Sequence, residues 1–258
     1  IGRLINQKLD VTNVVARLAL TPGVLEVPEF SFDGYGGAGR GTGRFDLANP
    51  ATPVYAVKAR VDTVEADHLL SAWTPARGLL HGALNTTLDF SGEGATPDDI
   101  KRSLTAVGLA GLANGTLGPG PVLEALAQFT QIPELKQVKF RDMKLPFQVE
   151  RGRVITDPVV LTGSNGDWRA SGGIGFDGSL DYAVSTTLPP EVVEKLGATA
   201  ALAAGALADE KGRILIDLRV TGSARSPRID WDRKAMGERA KGQLSSTLEK
   251  QRAKLEAE

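Results

Sequence analysis

The sequence predicts a mainly β fold, a curved antiparallel sheet with short helices and a charged C-terminal helix. Three observations carry that prediction. Phe140 to Leu188 repeats one pattern, an apolar/polar alternation, a short turn, and alternation again. The chain holds 30 glycines, most of them at the ends of such segments, where a turn-rich sheet uses them. Helical periodicity is confined to brief stretches between the alternating runs.

Taken in order, Asn13 to Leu20 alternates Val14, Ala16, Leu18 and Leu20 against Asn13 and Arg17, and Thr21-Pro22-Gly23 turns it. Val24 to Phe32 is a second strand, with Phe30 and Phe32 on one side. Arg40 to Leu47 is a third. Val54 to Thr63 is a fourth, its Tyr55, Val57, Ala59 and Val61 facing away from Lys58, Arg60 and Asp62. A short helix is expected at Ala66 to Trp73, then a strand carrying Leu84, Thr86, Leu88 and Phe90. Thr96-Pro97-Asp98-Asp99 reads as an N-cap, a Pro at the first helical position and early acids, so a brief helix should end near Leu104. A strand through Gly115 follows. Pro121 to Ile132 predicts a helix with Val122, Leu126 and Phe129 on one face.

The central meander comes next. Leu145, Phe147 and Val149 share a side, as do Trp168, Ala170, Ile174 and Phe176, and then Leu180, Tyr182 and Val184. Arg151-Gly152, Ser164-Asn165-Gly166 and Asp177-Gly178 supply the turns. Residues 196–208 are thirteen uncharged residues, mostly alanine, short of the roughly 20 that cross a bilayer. A small-residue helix packed on the sheet is the expectation there. A last strand carries Ile214, Ile216, Leu218 and Val220 opposite Asp217 and Arg219. From Trp231 the pattern becomes a charged helix, with Met236, Ala240, Leu244 and Leu248 drawing a thin apolar stripe. We therefore divide the chain into a β domain over residues 1–230 and a helix over residues 231–258.

Composition narrows the function classes. A net charge of −1 leaves no broad basic field, so no nucleic-acid partner is expected. Two histidines and no cysteine argue against a metal centre. Gly34 to Gly39 matches the dinucleotide fingerprint letter for letter, but glycine-laced, strand-like residues follow instead of a helix. A hairpin is the better reading, and no cofactor is expected. Asp33, Asp89, Asp142, Asp157, Asp177 and Asp181 fall on polar strand sides or in turns. A hydrolase would need two acids held across a cleft, such as Asp89 with Asp142 or Asp157. Neither His68 nor His81 has a carboxylate at ligand spacing. No catalytic residue is assigned, and the chain is not expected to be an enzyme. The chain opens on Ile1 with no leader pattern, as expected of a piece of a longer protein with any anchor upstream.

Asp33-Gly34-Tyr35-Gly36-Gly37, followed by a G-x-G-x-F-D-L strand, resembles the AsmA-like C-terminal domain of the AsmA/YhdP/TamB superfamily of bacterial envelope proteins. So do the YAVKARVDTVEADHLLSAW and GLLHGALNTTLDFSGEG segments, and the hairpins between Phe140 and Tyr182. The resemblance spans about Val11 to Asp232 and lies in the ordered series rather than in any one motif. It implies a long sheet folded like a taco, with an apolar inner surface, in proteins of Gram-negative bacteria held in the inner membrane by an N-terminal helix. It also implies a periplasmic body associated with phospholipid transport and outer-membrane integrity.

The expected partners are therefore phospholipid acyl chains and a membrane reached through an absent N-terminal anchor, with outer-membrane or periplasmic proteins as further candidates. Tyr55, Val57, Val61, Leu88, Phe90, Phe147, Val149, Ile174, Phe176, Tyr182, Val184, Ile216 and Leu218 are the candidate groove lining. Alternation does not distinguish a lined groove from the closed core of a sandwich. An aromatic content of 5% favours a smooth aliphatic trough. An interaction scaffold for outer-membrane protein assembly, working through open sheet edges, is the alternative function.

Overall fold

The computed structural model describes residues 1–6, 9–73, 78–163, 166–188, 214–239 and 241. They form one 13-stranded antiparallel sheet in which spatial order equals chain order. The strands are β1 (Arg3–Asn6), β2 (Leu9–Thr21), β3 (Val24–Gly34), β4 (Gly37–Asp46), β5 (Val54–Glu65), β6 (Leu80–Glu93) and β7 (Thr105–Leu117). They continue as β8 (Val138–Glu150), β9 (Arg153–Gly163), β10 (Gly166–Gly175), β11 (Ser179–Leu188), β12 (Ile214–Ser223) and β13 (Ser226–Trp231). Helix α1 (Ala66–Trp73) joins β5 to β6, α2 (Pro97–Ser103) joins β6 to β7, and α3 (Pro121–Thr130) lies between β7 and β8. A further helical segment, residues 233–239, follows β13. The alanine-rich segment and residues Leu244 and Leu248 of the terminal stripe lie outside the described residues.

Local chemistry accounts for the connections. Gly34 pairs with Gly37 across a two-residue hairpin in which Tyr35 and Gly36 both take positive φ. The glycine run that matches a nucleotide motif is thus a β3–β4 turn of the type that twists with its strands. Arg151 and Gly152 do the same between β8 and β9. Thr96 caps α2 with a reciprocal hydrogen-bonded pair to Asp99, as its spacing predicts. On α3 the buried positions are Leu123, Leu126, Ala127 and Thr130, one step round from the expected Val122, Leu126 and Phe129 face. Val122 borders a cavity and Phe129 packs on Trp231, at 5.3 Å between ring centroids.

The alternation slips by one residue at several points, and a bulge absorbs each slip. Thr12-Asn13 on β2, Pro28-Glu29 on β3, Asp62-Thr63 on β5, Ala113-Asn114 on β7 and Arg141-Asp142 on β8 are two-residue steps between inward positions. Asn13, Thr63 and Asn114 take positive φ there. The amide of Thr63 is satisfied by Asn85 Oδ1 at 3.0 Å. Each bulge restores the phase, so the apolar side stays inward along the whole strand, and each sharpens the local bend.

The hydrophobic core occupies the side of the sheet that α3 covers. Val64, Leu84, Leu112, Val138, Phe140, Leu161, Trp168 and Leu218 all belong to one cluster with α3. One cavity is bordered by Leu117 of β7 and by Ile229 of β13, six strands away. On a flat sheet those strands would stand about 29 Å apart at the usual spacing. The β7–β13 half therefore curls around α3, with its apolar face inside. Two strands at the sheet's limits, β1 and β13, were not foreseen from the sequence. Both are short, and Pro227 near the start of β13 argues against a strand on propensity alone.

Glycines make the inner face fit. Phe30 stands opposite Gly41, Phe32 opposite Gly39, Tyr55 opposite Gly92, Phe147 opposite Gly108, and Phe140 opposite Gly115. In each pair the ring lies over the glycine, where a methyl group would collide with it. Gly41→Ala should cost about 1–3 kcal/mol of stability, because its Cβ would meet the Phe30 ring at 2.7 Å and the Lys58 carbonyl oxygen more closely still. The neighbouring Thr42→Ala should change stability by less than about 0.5 kcal/mol in the same chemical denaturation experiment.

Candidate functional site

Directly opposed residues in an antiparallel pair point to the same side, so the registers assign every strand position to one face. On the face shared with the core, each strand presents apolar, glycine or small polar residues. β3 presents Phe30 and Phe32, β4 Gly39, Gly41 and Gly43, β5 Tyr55, Val57, Ala59 and Val61, and β6 Thr86, Leu88 and Phe90. β7 adds Ala106, Gly108 and Ala110 opposite Val149, Phe147 and Leu145 of β8. Among the described strand residues, no Asp, Glu, Lys or Arg stands on this face.

The outer face carries the charged residues, with Val107 and Leu109 of β7 as exposed apolar exceptions. Lys58 pairs with Asp89 at 3.2 Å, Arg40 with Asp62 at 3.8 Å, and Arg44 with Glu26. All three span neighbouring strands and remain largely solvated, so each contributes only about 0–1 kcal/mol. Their larger effect is on register, since a one-residue slip would carry these charges inward.

Of the candidate lining, Tyr55, Val57, Val61, Leu88, Phe90, Phe147, Val149, Ile174, Tyr182, Val184, Ile216 and Leu218 all stand on the inner face. They divide by burial. Tyr55, Val57, Val61, Leu88, Phe90 and Phe147 remain partly open along β5 to β8. Ile216 and Leu218 are core residues under the α3 region, Leu218 being 1% exposed. They cannot offer surface to a ligand. Phe176 lies beyond the end of β10, in the turn before β11, and is 43% exposed. It is not an inner-face strand residue, because β10 ends at Gly175 before the alternation reaches it.

The inner face therefore has two parts. Over β3 to β7, apart from the buried Val27, Val64, Leu84, Ala110 and Leu112, it is a partly open, uncharged surface on which rings lie flat. Phe30 and Phe32 are nearly coplanar, 5° apart in plane with centroids 6.4 Å apart. Its smoothness comes from rings seated on glycines, and not from a shortage of aromatics. Toward β13, the same face lines a cavity of about 230 Å³ between α3 and strands β7 to β13.

The acids weighed as a hydrolase pair stand apart on the outer face. Asp89 is held by Lys58, Asp142 lies beside Arg141, and Asp157 accepts from Ser171 at 2.6 Å. In register Asp89 aligns with Gln148 of β8 through Val107. Asp142 is six residues further along that strand, about 20 Å away. His81 Nδ1 is 3.7 Å from Glu65, and His68 is exposed. Among the described residues no group of three metal-ligating side chains comes together, and no helix is long and apolar enough to cross a membrane.

One acid departs from this pattern. Asp217 points outward from β12 yet is 4% exposed, and its Oδ1 accepts from Arg239 of the terminal helix at 2.8 Å. Burial pushes its carboxyl above the ordinary carboxylate value; Arg239 opposes the shift and Asp232 adds to it. Its Oδ2 has no hydrogen-bond partner. Alternation placed Asp217 on a wet face, and only the helix packed over β12 shows otherwise.

The sequence as a whole has a family-level match. The model of the AsmA family matches residues 1–159, well over half of the chain. The chain belongs to the AsmA family. No curated protein and no solved structure matches it. AsmA proteins are associated with the bacterial envelope. The matched span covers β1 to β8 and most of β9, which includes the whole open part of the inner face. For this AsmA protein the Asp217–Arg239 pair gives a stability test with a defined sign. A carboxyl whose folded value is raised favours the fold fully below the unfolded value near 3.8, and that contribution fades as pH rises through the higher folded value. Arg239→Met removes the opposing charge, so its cost should be larger at pH 7, about 2–3 kcal/mol, than at pH 4.

Proposed function

We propose that this chain is a periplasmic lipid-binding and lipid-transfer module of an inner-membrane-anchored envelope protein, supporting phospholipid transport and outer-membrane integrity. One observation carries the reading: among the described strand residues none that is charged stands on the inner face across thirteen strands, and over β3 to β7 that face stays partly open. An exposed apolar surface of that extent needs an apolar occupant. An acyl chain gains about 0.8 kcal/mol for each methylene it buries. Flat rings on a glycine bed accept a linear chain without shape selectivity. The same surface offers few hydrogen-bonding side chains, Tyr55 and Thr86 among them, for a sugar or a peptide backbone.

The reading involves binding without covalent chemistry. Asp89, Asp142 and Asp157 stand on the opposite face, where ion pairs and hydrogen bonds occupy them. In an envelope-permeability rescue assay, alanine substitution of any one of them should leave function intact.

A second reading, a scaffold for outer-membrane protein assembly, is favoured by the edge of the sheet. β1 pairs with β2 from Leu9 to Thr12, Asn13 and Val14 bond to Gly2 and Ile1, and among the described residues Val15 to Thr21 pair with β3 alone. Leu18 and Leu20 there are 64% and 78% exposed. An edge of this kind can accept an extended segment.

Native mass spectrometry of the purified protein separates the two. Phospholipid should be retained, and a Val57→Asp/Phe90→Asp variant that melts cooperatively should retain at most about a tenth as much, given the cost of charge in an apolar site. Full retention by the folded variant would overturn the lipid reading. Capture of unfolded barrel strands with no lipid in either protein would favour the scaffold.

A further inference from the structure

The cavity beneath α3 is set apart from the open face. Its wall includes Leu123 and Leu126 of α3, Met143 of β8, Trp168 and Ala170 of β10, and Val184 of β11. The wall is apolar throughout. The hydroxyl of Tyr182, which also borders it, lies 3.4 Å from Thr156 Oγ1 and leaves only the ring to the cavity. At about 230 Å³ it exceeds the apolar cavity of about 150 Å³ that stays dry and takes up benzene in another protein. Native interiors keep few voids larger than a water molecule, and water gains nothing where it finds no polar partner.

The position of the cavity restricts what fills it. Met143 stands opposite Leu112, and two and four residues along β8 are Leu145 and Phe147, which lead onto the open surface of β6 and β7. At the far side Val220 of β12 and Ile229 of β13 border the cavity, and Val122, Leu123 and Leu126 of α3 line it. An occupant reaching it along the inner face would meet an apolar wall throughout.

We propose that this cavity is a pocket that seats the methyl end of a single unbranched hydrocarbon chain whose remainder lies along the inner face. The proposal rests on the lipid reading above and adds a polarity to it: the chain end points toward α3 and the headgroup toward the β3–β6 region. It also assigns Trp168 as a wall residue in contact with the chain end.

The test uses the full chain with Trp73→Phe and Trp231→Phe, which leaves Trp168 as its only tryptophan, and palmitate brominated either at its terminal carbon or next to the carboxyl. Bromine quenches indole fluorescence at close range. Terminal bromine should quench Trp168 strongly and carboxyl-proximal bromine should not. Ala170→Phe, which fills the pocket, should abolish that difference and weaken palmitate binding about a hundredfold, the loss expected when three to four methylenes lose their seat. Palmitate that binds but quenches equally from both positions would overturn the pocket while leaving the lipid reading in place. Failure of palmitate to bind, in a protein that also retains no phospholipid, would overturn both. If Ala170→Phe does not fold, the positional quenching in the parent protein still decides.

Discussion

Register is the constraint on which the rest of this molecule depends. In a sheet of thirteen consecutively paired strands, the side of every residue is set by its neighbour's. A slip of one position anywhere would exchange the two faces of a strand. The penalty is visible in the residues: β5 would bring Lys58 and Arg60 inward and turn Val57 and Val61 to water. The outer ion pairs, the bulges and the glycine-seated rings act as successive locks on that register. The ion pairs are individually weak, but each can form in only one alignment. A one-residue slip would also take each ring off its glycine.

This explains why an open apolar surface is compatible with a folded protein. A sandwich would bury the inner face against a second sheet, whereas here the β7–β13 half buries its own by curling around α3. The β3–β7 half is supported through the continuous backbone ladder and by the rings packed along it. Stability is thus concentrated at one end and apolar exposure at the other. Loss of packing under α3 should therefore be felt more severely than loss of a side chain from the open face.

Much of the fold was legible in the sequence because alternation, turn residues and caps are local. The ends of α1 and α2, the β3–β4 hairpin at Tyr35-Gly36 and the sidedness of β5 to β8 all follow from near neighbours. The bulges were not legible in the same way, since a pair such as Asp62-Thr63 reads as an interruption until the partner strand shows the phase restored. Phe176 was misassigned because the strand ends one residue before it. The division of the inner face into open surface and core was also hidden, because burial of Ile216 and Leu218 depends on a helix far from β12 in the chain. Asp217 needed the same kind of knowledge. The Phe–Gly pairs left a trace in the sequence, a run of alternate glycines facing a run of alternate phenylalanines, which pairing rules could have matched.

The central claim is that one face of the sheet meets lipid and the other meets water, and adjacent residues test it most directly. A benzophenone amino acid placed at Phe90 points to the inner face, and one placed at Asp89 points to the outer face. After irradiation of the protein in its native envelope, mass spectrometry should find phospholipid adducts at position 90 and essentially none at position 89. Equal yields at the two positions, or adducts at 89 alone, would contradict the account.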